Sequence, residues 1–151
     1  MRPEHLHLLR CPKTAKMLQL KTVKIINGRI KEGWLIEPIS GNKYPIINSI
    51  PRFVSSDDYV SSFSFEWNTH QKTQFDTVSH HHISYSRFMH QTGWGDNLRG
   101  QAILEVGCGS GRFTQIALQT KATIVSFDYS TSVNQNYLSN GRSKNLLIVQ
   151  A

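Results

Sequence analysis

The run LEVGCGSGRF (104–113) decides how this chain is read: an apolar stretch passes through three alternating glycines, Gly107, Gly109 and Gly111, into a helix-like pattern. Its first half completes AILEV (102–106), and its second half opens GRFTQIALQT (111–120), where Phe113, Ile116 and Ala117 recur at helical spacing. Glycine has no Cβ, so the chain here can take positive φ and let a ligand touch backbone, while the free N–H groups of the following helix attract an anionic group. Moving outward, ATIVSF (122–127) is a β-branched run ending at Asp128, Ser130 or Thr131 offers a cap for a helix through about Leu138, and NLLIV (145–149) is another apolar run. Non-alternating strands separated by helices of about ten residues predict an α/β fold, a parallel sheet covered on both faces and joined by right-handed crossovers.

The glycine loop fits neither of two nucleotide patterns. A phosphate loop needs GxxxxGK followed by Ser or Thr, and neither the spacing nor the Lys is present; a dinucleotide fingerprint needs a glycine where Arg112 stands. What remains is Glu105, two residues before the loop, and Asp128, at the end of the next strand. A carboxylate beyond the end of a parallel strand can accept two ribose hydroxyls. Glu105 supplies negative charge near a ligand bearing an ammonium and a sulfonium, a combination that suits S-adenosylmethionine better than a dinucleotide.

The N-terminal part differs in character. Residues 1–54 hold ten basic and three acidic side chains, the whole of the +7 formal charge, while seven of each cancel in the remainder. MLQLKTVKIINGRIKEGWLI (17–36) alternates around Asn27-Gly28, a pair that accepts a tight hairpin turn. Pro45 and Pro51 bracket a short apolar run and deny it a helix. The expected organisation is a small β-rich module over 1–54, a helical connecting segment over 55–100 and the glycine-loop region over 101–151. Trp34, Tyr44, Ile46, Ile50 and Phe53 are the expected module core. In the connecting segment SSDD (55–58) offers N-caps, Phe63, Phe65, Trp67 and Phe75 form an aromatic stripe, and Ser84 or Ser86 would cap a helix through Phe88 and Met89 that ends near Gly93.

With these residues in view, LEVGCGSGRF, VSFDYS (125–130) and NLLIVQA (145–151) resemble the first half of a class I S-adenosylmethionine-dependent methyltransferase. The resemblance implies a partial Rossmann-like sheet, with Gly107, Cys108, Gly109 and Gly111 in the cofactor loop. It puts Glu105 near the methionine end, Asp128 on the ribose and Tyr129 beside it. WNTHQKTQFD (67–76) and FMHQTGW (88–94) resemble segments that precede this loop in a bacterial subgroup, where they would pack over the cofactor mouth. A complete domain of that class has seven strands, so the resemblance implies a chain truncated after the third, with an apolar edge left exposed as an association hazard. LLRCPKTAKMLQL with LIEPISGNKYPIINSIPRF is similar to a small zinc-ribbon-like module. The four positions of its paired Cys-x-x-Cys knuckles read Cys11, Thr14, Glu37 and Ser40 here, so no structural zinc is expected and docking or substrate presentation becomes the module's expected role.

Other classes are disfavoured. At 151 residues, 38% hydrophobic and 18% charged, the chain is neither a collagen nor a charge-dominated disordered polymer. Two distant cysteines make no disulfide framework, and no signal-peptide or membrane-spanning run occurs, so a cytoplasmic location is expected. Cys108 reads as loop packing rather than a nucleophile, and His80, His81 and His82 as a polar loop rather than metal ligands. Arg112 is open between the ligand carboxylate and solvent. The basic module lacks a stacking motif, which favours a solvated face over RNA binding. The acceptor is open among small molecule, lipid, glycan, RNA and protein. The alternatives are a nicotinamide-dependent oxidoreductase and a non-catalytic accessory protein that docks another methyltransferase or RNA.

Overall fold

Asn27 and Gly28, at φ 50° and 71°, close the hairpin between β1 (Gln19–Ile26) and β2 (Arg29–Ile36), as their side chains allow. The computed structural model describes residues 1–54 and 83–151. The caps at 55–58, the aromatic stripe at 63–75, the 67–76 segment and the histidines at 80–82 lie outside the described residues. From β2 the chain pairs antiparallel with β3 (Lys43–Ile47) and then β4 (Ile50–Pro51), giving a four-stranded sheet in sequence order. Tyr44, Ile46 and Ile50 are buried as expected, Phe53 packs on the cluster of Tyr44 and Ile46 while Ile50 joins the other core with Ile124 and Ile148, and Trp34 is 41% exposed. Its neighbour Leu35 is the residue that faces inward, because successive side chains of a strand alternate between faces.

The second sheet is parallel: β5 (Ala102–Val106), β6 (Thr123–Asp128) and β7 (Leu146–Gln150), adjacent in that order. Helices α2 (Arg112–Gln119) and α3 (Val133–Asn140) connect them, and α1 (Ile83–Thr92) packs on α2. Thus the expected parallel βαβαβ order is present. Ser84 and Ser86 sit inside α1 rather than at its cap, since the helix already begins at Ile83; its end before Gly93, at φ 63°, matches the expectation. No helix among the described residues is long and apolar enough to cross a membrane.

The cover of the parallel sheet differs from a sheet with helices on both sides. Ile103, Ile124, Leu146 and Ile148 point to one face, with Ala117 of α2 and Val133 of α3 in the same core. Leu147 and Val149 point to the other, where they join Met1, Leu9, Cys11, Ile30, Leu35, Tyr44 and Ile46 of the N-terminal part. The antiparallel module therefore roofs the face over β7, with Val125 and Phe127 of β6 packed at its margin. Over β5 the same face is open: Leu104 is 64% and Val106 69% exposed. Polar contacts clamp the roof at several points. Arg29 Nη2 donates to Arg142 O at 2.6 Å and Nη1 to Gly141 O, placing a cation at the carboxyl end of α3 where the helix dipole favours it. His5 Nε2 lies 3.1 Å from Lys144 O, and Arg52 pairs with Gln150 in a parallel bridge that extends the sheet.

Candidate functional site

The glycine loop lies at the carboxyl ends of β5 and β6, where open α/β sheets receive ligands. Its first two N–H groups, of Gly107 and Cys108, both donate to Phe127 O, at 2.9 and 3.0 Å, which folds the loop over the end of β6. Gly107, at φ 72°, has open space where a Cβ would stand. Gly111, at φ 93°, caps α2, and a Cβ there would collide with Asn136 Oδ1 and Asn140 Nδ2 of α3. One glycine thus leaves room and the other admits close packing of two helices.

Asp128 is half-buried, and its carboxylate is fastened at both oxygens. Oδ2 accepts the Gly109 N–H and Oδ1 the Ser130 N–H, each at 2.8 Å. The expected ribose carboxylate and the loop are in direct contact, and about two of its four lone-pair positions are left for hydroxyl donors. Tyr129, the next residue, is exposed, and its carbonyl accepts from Gln150 Nε2 at 2.9 Å.

Glu105 occupies a different setting. Its Oε2 accepts from Thr114 Oγ1 at 2.5 Å and from Ser126 Oγ at 2.6 Å, and the Thr114 backbone N–H also reaches the carboxylate. The acid therefore serves the first turn of α2, where a negative charge is favoured by the helix dipole. Burial pushes its carboxyl above the ordinary range, against the pull of the hydroxyl donors, and the nearby Asp128 adds to the rise. Behind it runs a buried relay: Asn140 Nδ2 donates to Asn136 Oδ1 and Asn136 Nδ2 to Thr114 Oγ1, both at 2.9 Å, while Asn140 also reaches Gly111 O at 3.0 Å. Sequence pattern alone does not single out Thr114, Ser126, Asn136 and Asn140. The one signal is the i, i+4 spacing of the asparagines, which puts them on one helix face.

Cys108 is buried, and burial pushes its thiol up to about 12, consistent with packing. Arg112 Nε donates to Ser84 Oγ at 2.5 Å, and its guanidinium lies 5.5 Å from the centroid of the Phe113 ring, so this side chain braces α1 against α2. Phe88 stacks on Phe113 at 6.5 Å and meets Trp94 edge-on at 5.9 Å. A separate pocket of about 250 Å³, lined by Tyr85, Met89, Ile116 and Lys121 among others, sits towards the far end of α2 and touches none of the loop residues.

In the module, two loops repeat one backbone pattern. Cys11 N–H donates to Lys16 O and Ala15 N–H to Cys11 O; Glu37 N–H donates to Asn42 O and Gly41 N–H to Glu37 O, all between 2.7 and 2.9 Å. Asn42 Nδ2 links them, reaching Ser40 Oγ at 2.7 Å and Cys11 Sγ at 3.8 Å. Burial raises the Cys11 thiol, but hydrogen bonds from Thr14, Tyr44 and the Lys13 and Thr14 backbone outweigh it and bring it down to about 7. Ser40 and the Ile39 N–H hold the Glu37 carboxyl below its usual range. No group of three or more His, Cys, Asp or Glu among the described residues is arranged to hold a metal ion.

No protein-family model and no curated protein matches this chain. Among solved structures it is similar to the Haemonchus contortus phosphoethanolamine N-methyltransferase 1 in complex with phosphoethanolamine and S-adenosylhomocysteine, with 19% identity and a TM-score of 0.40. The match covers 63% of this chain and spans 22% of that protein's length.

Proposed function

We propose that this chain is the S-adenosylmethionine-binding portion of a class I methyltransferase. The observation that carries the reading is the open space at Gly107, at the carboxyl ends of two parallel strands, with the Asp128 carboxylate hydrogen-bonded to Gly109 of the same loop. The residues fit the group in three respects. Backbone at Gly107 can meet the ligand without an intervening side chain, the first turn of α2 offers amides to a ligand carboxylate, and Asp128 retains acceptor capacity for ribose hydroxyls. Tyr129 would flank the nucleoside. The half-buried Glu105 carboxylate behind the loop suits a ligand with cationic groups and disfavours a pyrophosphate.

When bound, S-adenosylmethionine supplies an electrophilic methyl group on a sulfonium. The residues of this chain would bind and orient it: the loop sets the amino-acid end, Asp128 the sugar, and the relay through Thr114 and Asn136 keeps α2 and α3 in register beneath them. The test is calorimetric titration with S-adenosylhomocysteine and, separately, NADH. Binding of the first alone is expected, and Asp128→Ala is expected to weaken it by about 1 to 3 kcal/mol, the range for charge-assisted hydrogen bonds. Saturable binding of NADH alone would replace this reading with the oxidoreductase one.

A further inference from the structure

Arg52 follows β4 and is 8% exposed, yet among the described residues no carboxylate reaches its guanidinium. A buried cation without a counter-charge is costly unless its donors are otherwise satisfied. Here two amide oxygens do so: Nη1 donates to Gln150 Oε1 and Nη2 to Asn134 Oδ1, each at 2.6 Å. Both acceptors lead to the same turn. Gln150 Nε2 donates to Tyr129 O, and Asn134 is the second residue of α3, so Arg52 grips the turn after β6 at its start and at its end. Backbone contacts run alongside, with Phe53 N–H donating to Gln150 O at 2.8 Å and Ala151 N–H to Asp128 O at 3.2 Å. Asp128 opens this turn and carries the hydrogen bonds to Gly109 and Ser130.

We infer that Arg52 is a positioning residue of the cofactor site, a strut from the small module that fixes the turn after β6 and so holds Asp128 against the glycine loop. The role rests on the S-adenosylmethionine reading for its ligand, and on the hydrogen bonds alone for its mechanics. Two variants probe it by different routes. Arg52→Lys keeps the charge but loses the planar fork that reaches two amides at once. Gln150→Glu keeps an acceptor for Arg52 and removes the donor that holds Tyr129 O.

With folding checked by circular dichroism and thermal melts, amide hydrogen exchange at Gly109 and Ser130 is expected to quicken by about tenfold in both variants, while Ile30 and Leu35 of the module stay protected. Affinity for S-adenosylhomocysteine should fall by about tenfold. The preference for that ligand over its 2′-deoxyribose analogue should shrink, a ratio that lost stability alone would leave unmoved. Exchange at Gly109 and Ser130 as slow as in the wild type overturns the strut, and so does quickened exchange with an unchanged ratio. A wild-type chain that binds neither ligand overturns the cofactor reading, and the exchange rates then decide the strut by themselves.

Discussion

Gly107 and Gly111 belong to one loop and answer to different constraints. An alanine at either position must adopt a left-handed φ, at about 1 to 2 kcal/mol. At Gly111 it must also displace Asn136 and Asn140, and overpacking of that kind adds about 1 to 3 kcal/mol. Gly111→Ala is therefore expected to lower the melting temperature distinctly more than Gly107→Ala, while Gly107→Ala acts mainly on ligand affinity; equal melting temperatures would contradict the close helix contact. Glu105 gives a pH signature. Its folded carboxyl sits above the ordinary value of 4.5, so the folded state holds this proton more tightly than the unfolded state. The resulting stability is present below 4.5 and is lost as pH rises through the raised value. Glu105→Gln should flatten that part of the profile, read from denaturant midpoints across the acid range. The positions of Glu105, Asp128 and the three glycines in strand ends and a tight turn are legible in the sequence, because such local structure leaves a mark there. Those of Asn136 and Asn140 are not, since a pair of asparagines that satisfy one another in the core reads like a solvated helix face.

Elements were legible to the extent that their pattern was local. The Asn27-Gly28 hairpin and the strands and helices after Gln101 lie within a few residues of expectation, because turn chemistry and apolar runs specify them directly. The structure starts α1 at Ile83, ahead of both serines, since a serine is equally at home in a cap and in a helix interior, where Ser84 accepts from Arg112. The loops at Cys11 and Glu37 share a backbone pattern: the same two hydrogen bonds recur in each, although among Cys11, Thr14, Glu37 and Ser40 only the first is cysteine. The combined substitution Thr14→Cys, Glu37→Cys and Ser40→Cys is thus expected to create a four-thiolate site with Cys11. Stoichiometric zinc should then raise the melting temperature of the variant and not that of the wild type. A variant that unfolds with or without zinc would show that the loops depend on the Glu37 hydrogen bonds.

At the scale of the whole molecule, sequence patterns alone did not reveal that the small sheet roofs the parallel one. Leu147 and Val149 read simply as part of a buried strand, and nothing in NLLIV states whether a helix or a sheet will cover it. The roof stops short of β5. Replacing Leu104 with Ser and Val106 with Thr is expected to reduce self-association in sedimentation velocity, with stability changed by no more than about 0.5 kcal/mol, as for other exposed positions. Unchanged association would show that this patch is not the sticky one. The roof also sets a timetable for synthesis. Arg52 meets Gln150 only 98 residues later in the chain, and Arg29 meets Gly141 112 residues later. A ribosome therefore delivers the inner sides of β2 and β3 long before it delivers the strand they rest on, and contacts of such sequence separation form slowly. During that interval the nascent hairpin must keep its oily side from other chains, a task for which its many lysines and arginines are well placed.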